Sequence, residues 1–305
     1  MKKLLRILLT GTLILLGIIP ASGVQNGVEE VGNDLVVPVR WQPADDPNHI
    51  LNCTGSLIAP SIVLTAAHCV IDSNGVVTNK VYVGQAGASI SSVRRTDIVA
   101  SIHISKGFNH RVTDPGIGDD DIAFLTLTKP RPMPLHVSLS TDIESIVTAQ
   151  SILKLIGYGA TDDLAESTNI SPRSYLGTLS STPYLANPNS AILESNSGNA
   201  CKGDSGAPIF MSTGSQISIV GIYVGSFFNQ NCGILEKEKS KAIMTLVSRY
   251  FNLLSEAQKS ISGPSTTANT TPKIKLKTIV CIRKSSIRKI TAKNPKCPSG
   301  YTLRK

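Results

Sequence analysis

Between residues 36 and 224 the chain runs in short apolar bursts, each cut off by Gly, Pro, Asn, Asp or Ser. Ser56–Ile58, Ile62–Thr65, Lys80–Val83, Ile98–Ile104, Ile122–Leu127, Ile152–Ile156 and Ile217–Val224 are such bursts. β-Branched side chains are dense in them, and two substituents on Cβ suit a pleated sheet better than a helix. Short runs bounded by turn formers predict an all-β protein of sandwich or barrel type. Periodicity does not choose between those two. The period changes after residue 239. Ile243, Met244, Leu246, Val247, Tyr250, Phe251 and Leu254 recur at spacings of three and four. This predicts an amphipathic helix over 240–255, with Ser240 as its N-cap.

The two ends of the chain follow other rules. Lys2, Lys3 and Arg6 precede a short apolar stretch, Ile7 to Ile19, and the small residues Ala21, Ser22 and Gly23 follow it. Residues 1–23 are expected to be a secretory signal peptide, with an uncleaved anchor as the alternative. No later segment is long and apolar enough to span a bilayer as a helix. Residues 261–272 are rich in Ser, Thr and Pro and read as a linker. Residues 273–305 then hold eleven Lys or Arg and no acid, with apolar and basic residues alternating over 274–282.

That asymmetry changes what the net charge of +9 means. Between residues 24 and 272 there are 16 basic and 21 acidic side chains. The chain is a mildly acidic domain with a basic tail. The tail invites an anionic surface, such as a cell envelope, while the main domain offers nothing for nucleic acid. Six cysteines in an exported chain suggest three disulfides, which could connect in fifteen ways. No Cys-x-x-Cys or Cys/His cluster of zinc spacing occurs, so no metal is expected.

Candidate chemistry lies in Asn199-Ala-Cys-Lys-Gly-Asp-Ser-Gly-Ala-Pro208. Gly203 and Gly206 allow backbone angles closed to other residues, so the N–H groups of Gly203 and Ser205 can turn toward one point and hold an oxyanion. A serine hydroxyl is a weak nucleophile without a base and a group to orient that base. Leu64-Thr-Ala-Ala-His-Cys69 offers His68, and Asp121-Ile-Ala-Phe-Leu-Thr-Leu127 offers Asp121. Asp119, Asp120 and Asp121 are consecutive, so residue type alone does not pick the orienter.

These three motifs, in the order His, Asp, Ser, resemble the chymotrypsin/trypsin family of serine proteases over about residues 24–257. The resemblance implies two packed six-stranded β-barrels with a C-terminal helix, and a protease domain over 24–260. It selects Asp121, which directly precedes a strand-like run, and leaves Asp119 and Asp120 to a solvated loop. It implies a Ser205–His68–Asp121 triad, no cofactor, and protein or peptide substrates for a secreted monomer. It pairs Cys53 with Cys69 and Cys201 with Cys232, which leaves Cys281 to pair with Cys297. Val24-Gln-Asn-Gly27 is similar to the family's activated N-terminus, so the Val24 ammonium would pair with Asp204 once residues 1–23 are removed. Cleavage after Ala21 or Ser22, with later trimming, is the alternative.

Departures bear on specificity. Asn199 stands at the pocket floor, where trypsin-like enzymes carry an aspartate for basic substrates. Val224-Gly-Ser226 stands where many relatives have Ser-Trp-Gly, so Ser226 replaces a wall glycine, and Ala242 replaces another. The added atoms imply a narrower pocket for small or medium neutral side chains, unless Glu236 or Glu238 points into it. Ala207 replaces a glycine after the nucleophile. The run Asn294–Tyr301 resembles short tails on some secreted bacterial proteins, which suggests a secreted bacterial branch of the family. A protease fold without activity, serving as a binding module, would lack a triad residue, and none is missing.

Overall fold

A computed structural model describes residues 24, 26–30, 32–109, 120–133, 137–140, 151–160, 171–180, 188–226, 239–262, 277–283, 286–292, 296–297 and 301–303. The predicted bursts become strands. In the first half these are β1 (Val28–Glu29), β2 (Val36–Trp41), β3 (Leu51–Ala59), β4 (Ile62–Thr65), β5 (Val81–Val83), β6 (Val99–Ile104), β7 (Ala123–Leu127) and β8 (Ser138–Leu139). In the second they are β9 (Ile152–Gly157), β10 (Arg173–Leu179), β11 (Ser190–Ser195), β12 (Pro208–Thr213), β13 (Gln216–Ser226) and β14 (Ser240–Leu246). One helix follows, α1 (Phe251–Ser262).

The first sheet has the order β5-β2-β3-β4-β7-β6. A bridge between Tyr82 and Ile98 joins its two ends and closes it into a barrel. The second runs β9-β10-β11-β14-β13-β12 and returns to β9, because β12 pairs with β9 as well as β13. Closure removes the exposed edges that open sheets must protect. β4 and β7 are buried along their whole length, which is why their sequences are apolar runs and not alternating ones. Phe124 of β7 is fully buried, and truncating such a side chain to alanine typically costs about 3–5 kcal/mol.

The predicted helix over 240–255 is corrected by the structure. Residues 240–246 are β14, which pairs with β11 on one side and β13 on the other. Ser240 caps no helix: its hydroxyl donates to the Gly198 carbonyl at 2.7 Å. A strand buried on both faces is apolar throughout, so over seven residues its spacing looks the same as a buried helix. After a 3-10 turn at Val247–Arg249, only the second part of the segment is helical.

The chain divides into two compact units, 1–261 and 262–305. The smaller holds a three-stranded sheet, β15 (Lys277–Arg283), β16 (Ser286–Ala292) and β17 (Thr302–Leu303), with β15 in the centre. A disulfide between Cys281 and Cys297 crosslinks it.

Candidate active site

His68 lies in a 3-10 turn, Ala67–Cys69, that continues directly from β4 through Ala66. Asp121 sits at the entry to β7, and β4 and β7 are paired neighbours, with Thr65 opposite Ala123. Sheet pairing therefore delivers the two residues to each other across 53 positions of sequence. The Asp121 carboxylate accepts twice from His68: Oδ1 from the backbone N–H at 3.0 Å and Oδ2 from ring Nδ1 at 2.6 Å. Asp121 is 1% exposed, and the His68 side chain 36% exposed. One nitrogen of the ring is thus fixed while the ring stays within reach of solvent and substrate. Burial opposes a charge on His68, but the Asp121 charge and hydrogen bond together outweigh it and raise the pKa above 6.5.

The second barrel supplies Ser205, in the loop between Asn199 and β12. Gly203 and Gly206 take φ +96 and +83, both closed to side chains. A Cβ on Gly206 would run into Thr65 Oγ1 and the Thr54 carbonyl. The N–H groups of Cys201, Asp204, Gly206 and Ala207 are all bonded within the protein. Those of Gly203 and Ser205 make no hydrogen bond among the described residues. The Ser205 carbonyl accepts from Thr54 N–H at 2.8 Å. Cys69 Sγ, which carries no proton in its disulfide, lies 3.6 Å from the same oxygen. The loop is thus held against the segment that carries His68. No hydrogen bond joins the Ser205 hydroxyl to the His68 ring.

Asp204 points inward from the same loop and is fully buried. It accepts from Cys201 N–H at 2.8 Å and Gly159 N–H at 2.7 Å, and no cation pairs with it among the described residues. Burial pushes its pKa up to about 7 against the pull of those two hydrogen bonds. Val24 is also fully buried, in the cluster that contains Ala200 and Ala207, which bracket the Asp204 loop. It is held at φ 50, a region β-branched residues avoid.

Asn199 is 1% exposed, and neither its Oδ1 nor its Nδ2 has a hydrogen-bond partner among the described residues. Ser226, at the end of β13, is the register partner of Ala242 on β14. Its hydroxyl lies 2.9 Å from the Tyr223 hydroxyl. Glu236 and Glu238 lie outside the described residues. Cys53 and Cys69 are bridged, and Cys201 is disulfide-bonded. Its expected partner, Cys232, lies outside the described residues. His68, Cys53 and Cys69 are all metal-ligating types and lie close together. The two sulfurs are spent on the disulfide, so no thiolate remains there to bind a metal.

Asp119 lies outside the described residues, but Asp120 does not sit in a solvated loop. Its Oδ1 accepts from the Tyr250 hydroxyl at 2.5 Å and from Asn189 Nδ2 at 2.7 Å. Sequence reading also passed over Gly157 and Gly159, where a Cβ would strike the Asp204 carboxylate. The Gly-x-Gly spacing at a strand end was the available signal. It passed over Thr54 too, for which no motif gave a signal.

The Trypsin family description matches residues 37–254. A trypsin of Simulium vittatum is 26% identical over 194 residues, covering 58% of this chain and 72% of that protein. Chymotrypsin-like elastase family member 1 of Bos taurus is 25% identical over 274 residues, covering 83% of this chain and 98% of that protein. With a family match over more than two thirds of its length and paired barrels to accompany it, the chain belongs to the trypsin family and is a serine-type endopeptidase acting on proteins or peptides.

Proposed function

We propose that Ser205, His68 and Asp121 carry the peptide hydrolysis through an acyl-enzyme. The Ser205 Oγ–carbon bond forms as His68 takes the hydroxyl proton, and the C–N bond breaks as His68 returns that proton to the leaving amine. Water then repeats the sequence to release the acid. The observation that carries this reading is the buried Asp121 carboxylate gripping both N–H groups of His68. The unpaired N–H groups of Gly203 and Ser205 are the donors for the oxyanion. Serine hydroxyls in free enzymes often align only when substrate arrives, so the Ser205–His68 bond belongs to the complex.

The pocket is assigned to Asn199, Ser226 and Ala242. An amide offers no charge to a basic side chain, which favours neutral residues at the scissile position. Val24 is assigned as the mature N-terminus, paired with Asp204. At a free N-terminus no preceding carbonyl exists, so the φ strain at Val24 disappears on cleavage, and a new ammonium arrives where a buried carboxylate lacks a cation. The domain limits proposed are 1–23 signal peptide, 24–260 protease, 261–272 linker and 273–305 tail. The secreted enzyme is held near an anionic envelope by that tail.

Ser205→Ala tests the assignment. It should abolish fluorophosphonate labelling and reduce hydrolysis by about a millionfold, the scale at which triad residues fail together. Substantial turnover in that variant would sink the triad. A peptide set varied at the scissile residue, read on the parent enzyme, should place neutral residues ahead of Lys and Arg.

A further inference from the structure

Thr54 belongs to the first barrel yet makes most of its hydrogen bonds to the second. It lies in β3, at the level where β4 has ended: Ser56 pairs with Leu64, but β4 stops at Thr65. The Thr54 N–H therefore has no strand partner on that side, and it donates to the Ser205 carbonyl at 2.8 Å. Its hydroxyl donates to the Gly203 carbonyl at 2.9 Å. The same oxygen accepts from the Tyr158 N–H at 2.9 Å. Its own carbonyl accepts from the Thr65 hydroxyl at 2.7 Å, three residues before His68. Thr54 is fully buried, and all its polar atoms are satisfied.

We propose that Thr54 is a positioning residue that sets the Gly203–Ser205 loop, through its hydroxyl, at the angle the oxyanion donors require. The inference rests on the assignment of Ser205 as nucleophile. The hydroxyl fixes the carbonyl of Gly203 and the N–H of Thr54 fixes that of Ser205, so two successive turns of the loop are referenced to one rigid strand. A peptide plane whose carbonyl is tied cannot rotate its neighbouring N–H groups freely. Thr65 ties the same residue to the His68 segment. Through its hydroxyl on one side and its own carbonyl on the other, one residue thus couples base and oxyanion site, and a misplacement of about 1 Å there is enough to slow the chemistry about a hundredfold.

Thr54→Val is close to isosteric and keeps the backbone bonds, but removes the hydroxyl and leaves the buried Tyr158 N–H and the half-buried Gly203 carbonyl without their partner. Thr54→Ala also lacks the hydroxyl, yet leaves room for a water to bridge those groups, so it folds even where valine does not. Thr54→Ser keeps the hydroxyl and loses only a methyl. The variants are compared by hydrolysis of a peptide anilide with a neutral scissile residue and by the rate of fluorophosphonate labelling, each on protein shown to be folded by its melting curve. We expect kcat to fall about 10- to 100-fold in Thr54→Val and about fivefold or more in Thr54→Ala. KM should stay within about twofold, labelling should slow in parallel, and Thr54→Ser should recover to within about threefold of the parent. A folded valine or alanine variant with the parent's kcat overturns the inference, as does a serine variant as slow as alanine. If Ser205→Ala stays active and labelled, the nucleophile assignment fails and this inference falls with it. If Ser205→Ala is inactive while the Thr54 variants are not slowed, only the role of Thr54 is refuted.

Discussion

At His68 two influences oppose each other. Burial disfavours the imidazolium, and Asp121 stabilises it, with the second effect the larger overall. A base must be neutral to accept a proton. Raising its pKa therefore moves the acid limb of activity upward, and kcat/KM should fall with a midpoint above the ordinary 6.5 as pH is lowered. A pH profile of kcat/KM with a midpoint below that value would contradict the pairing. Asp121→Asn should abolish the upward shift and slow turnover about 10⁴-fold, as expected when a base is held in the wrong tautomer. The adjacent Asp120 shows how little residue type says about role. Its backbone takes φ 55, which turns its carboxylate toward Tyr250 and Asn189 and away from His68. Consecutive aspartates look alike in sequence, and the backbone angle at Asp120 separates its direction from that of Asp121.

Elements, not single residues, set the distances in the site. The 3-10 turn that carries His68 is one and the same segment that ends in Cys69, and the disulfide to Cys53 ties that turn to β3. A bridge across 16 residues restricts the unfolded chain by about 3 kcal/mol. Replacing Cys53 and Cys69 together by alanine should lower the unfolding free energy by about that amount in urea. Activity should fall further than stability alone explains, because the turn loses its anchor; a double variant with unchanged unfolding and turnover would refute this. The strand at 240–246 teaches a different lesson. Its sequence carries helical spacing, and burial between β11 and β13 decided otherwise. Hydrogen-bonded neighbours on both sides outweigh a weak intrinsic preference.

On the scale of the molecule, the proposed pairing of the Val24 ammonium with Asp204 would link folding to processing. A carboxylate whose folded pKa is near 7, against 3.8 unfolded, holds its proton more tightly when folded. Its contribution favours the fold at low pH and is lost as pH rises from about 4 to about 7. A chain carrying one extra residue before Val24 should therefore lose stability across that window. A chain beginning at Val24 should not, because the ammonium stabilises the ionised carboxylate, and removing one partner of a buried pair costs about 3–5 kcal/mol. Melting curves of the two forms from pH 4 to pH 8 decide it, and parallel curves would refute the pairing. The small C-terminal unit is strongly basic. With eleven basic residues and no acid over 273–305, its attraction to an anionic surface should be screened over roughly 8 Å at physiological ionic strength. Truncation at Pro272 should leave peptide hydrolysis unchanged while abolishing salt-releasable retention on cell envelopes. Loss of hydrolysis, or equal retention of both forms, would count against a tethering role.

The sequence alone was enough for whatever depends on local pattern. β-Branched bursts between turn formers marked β4 residue for residue, because a short buried strand is written in consecutive positions. The order of the His68, Asp121 and Ser205 motifs carried the family, because each motif is contiguous. Tertiary structure decided what depends on residues far apart in the chain. The direction of Asp120, the strand at 240–246 and the four hydrogen bonds of Thr54 are set by neighbours 11 (Thr65 to Thr54) to 151 (Thr54 to Ser205) residues away or by a single backbone angle. Such contacts arise only when two barrels close and meet, and no local spacing encodes them.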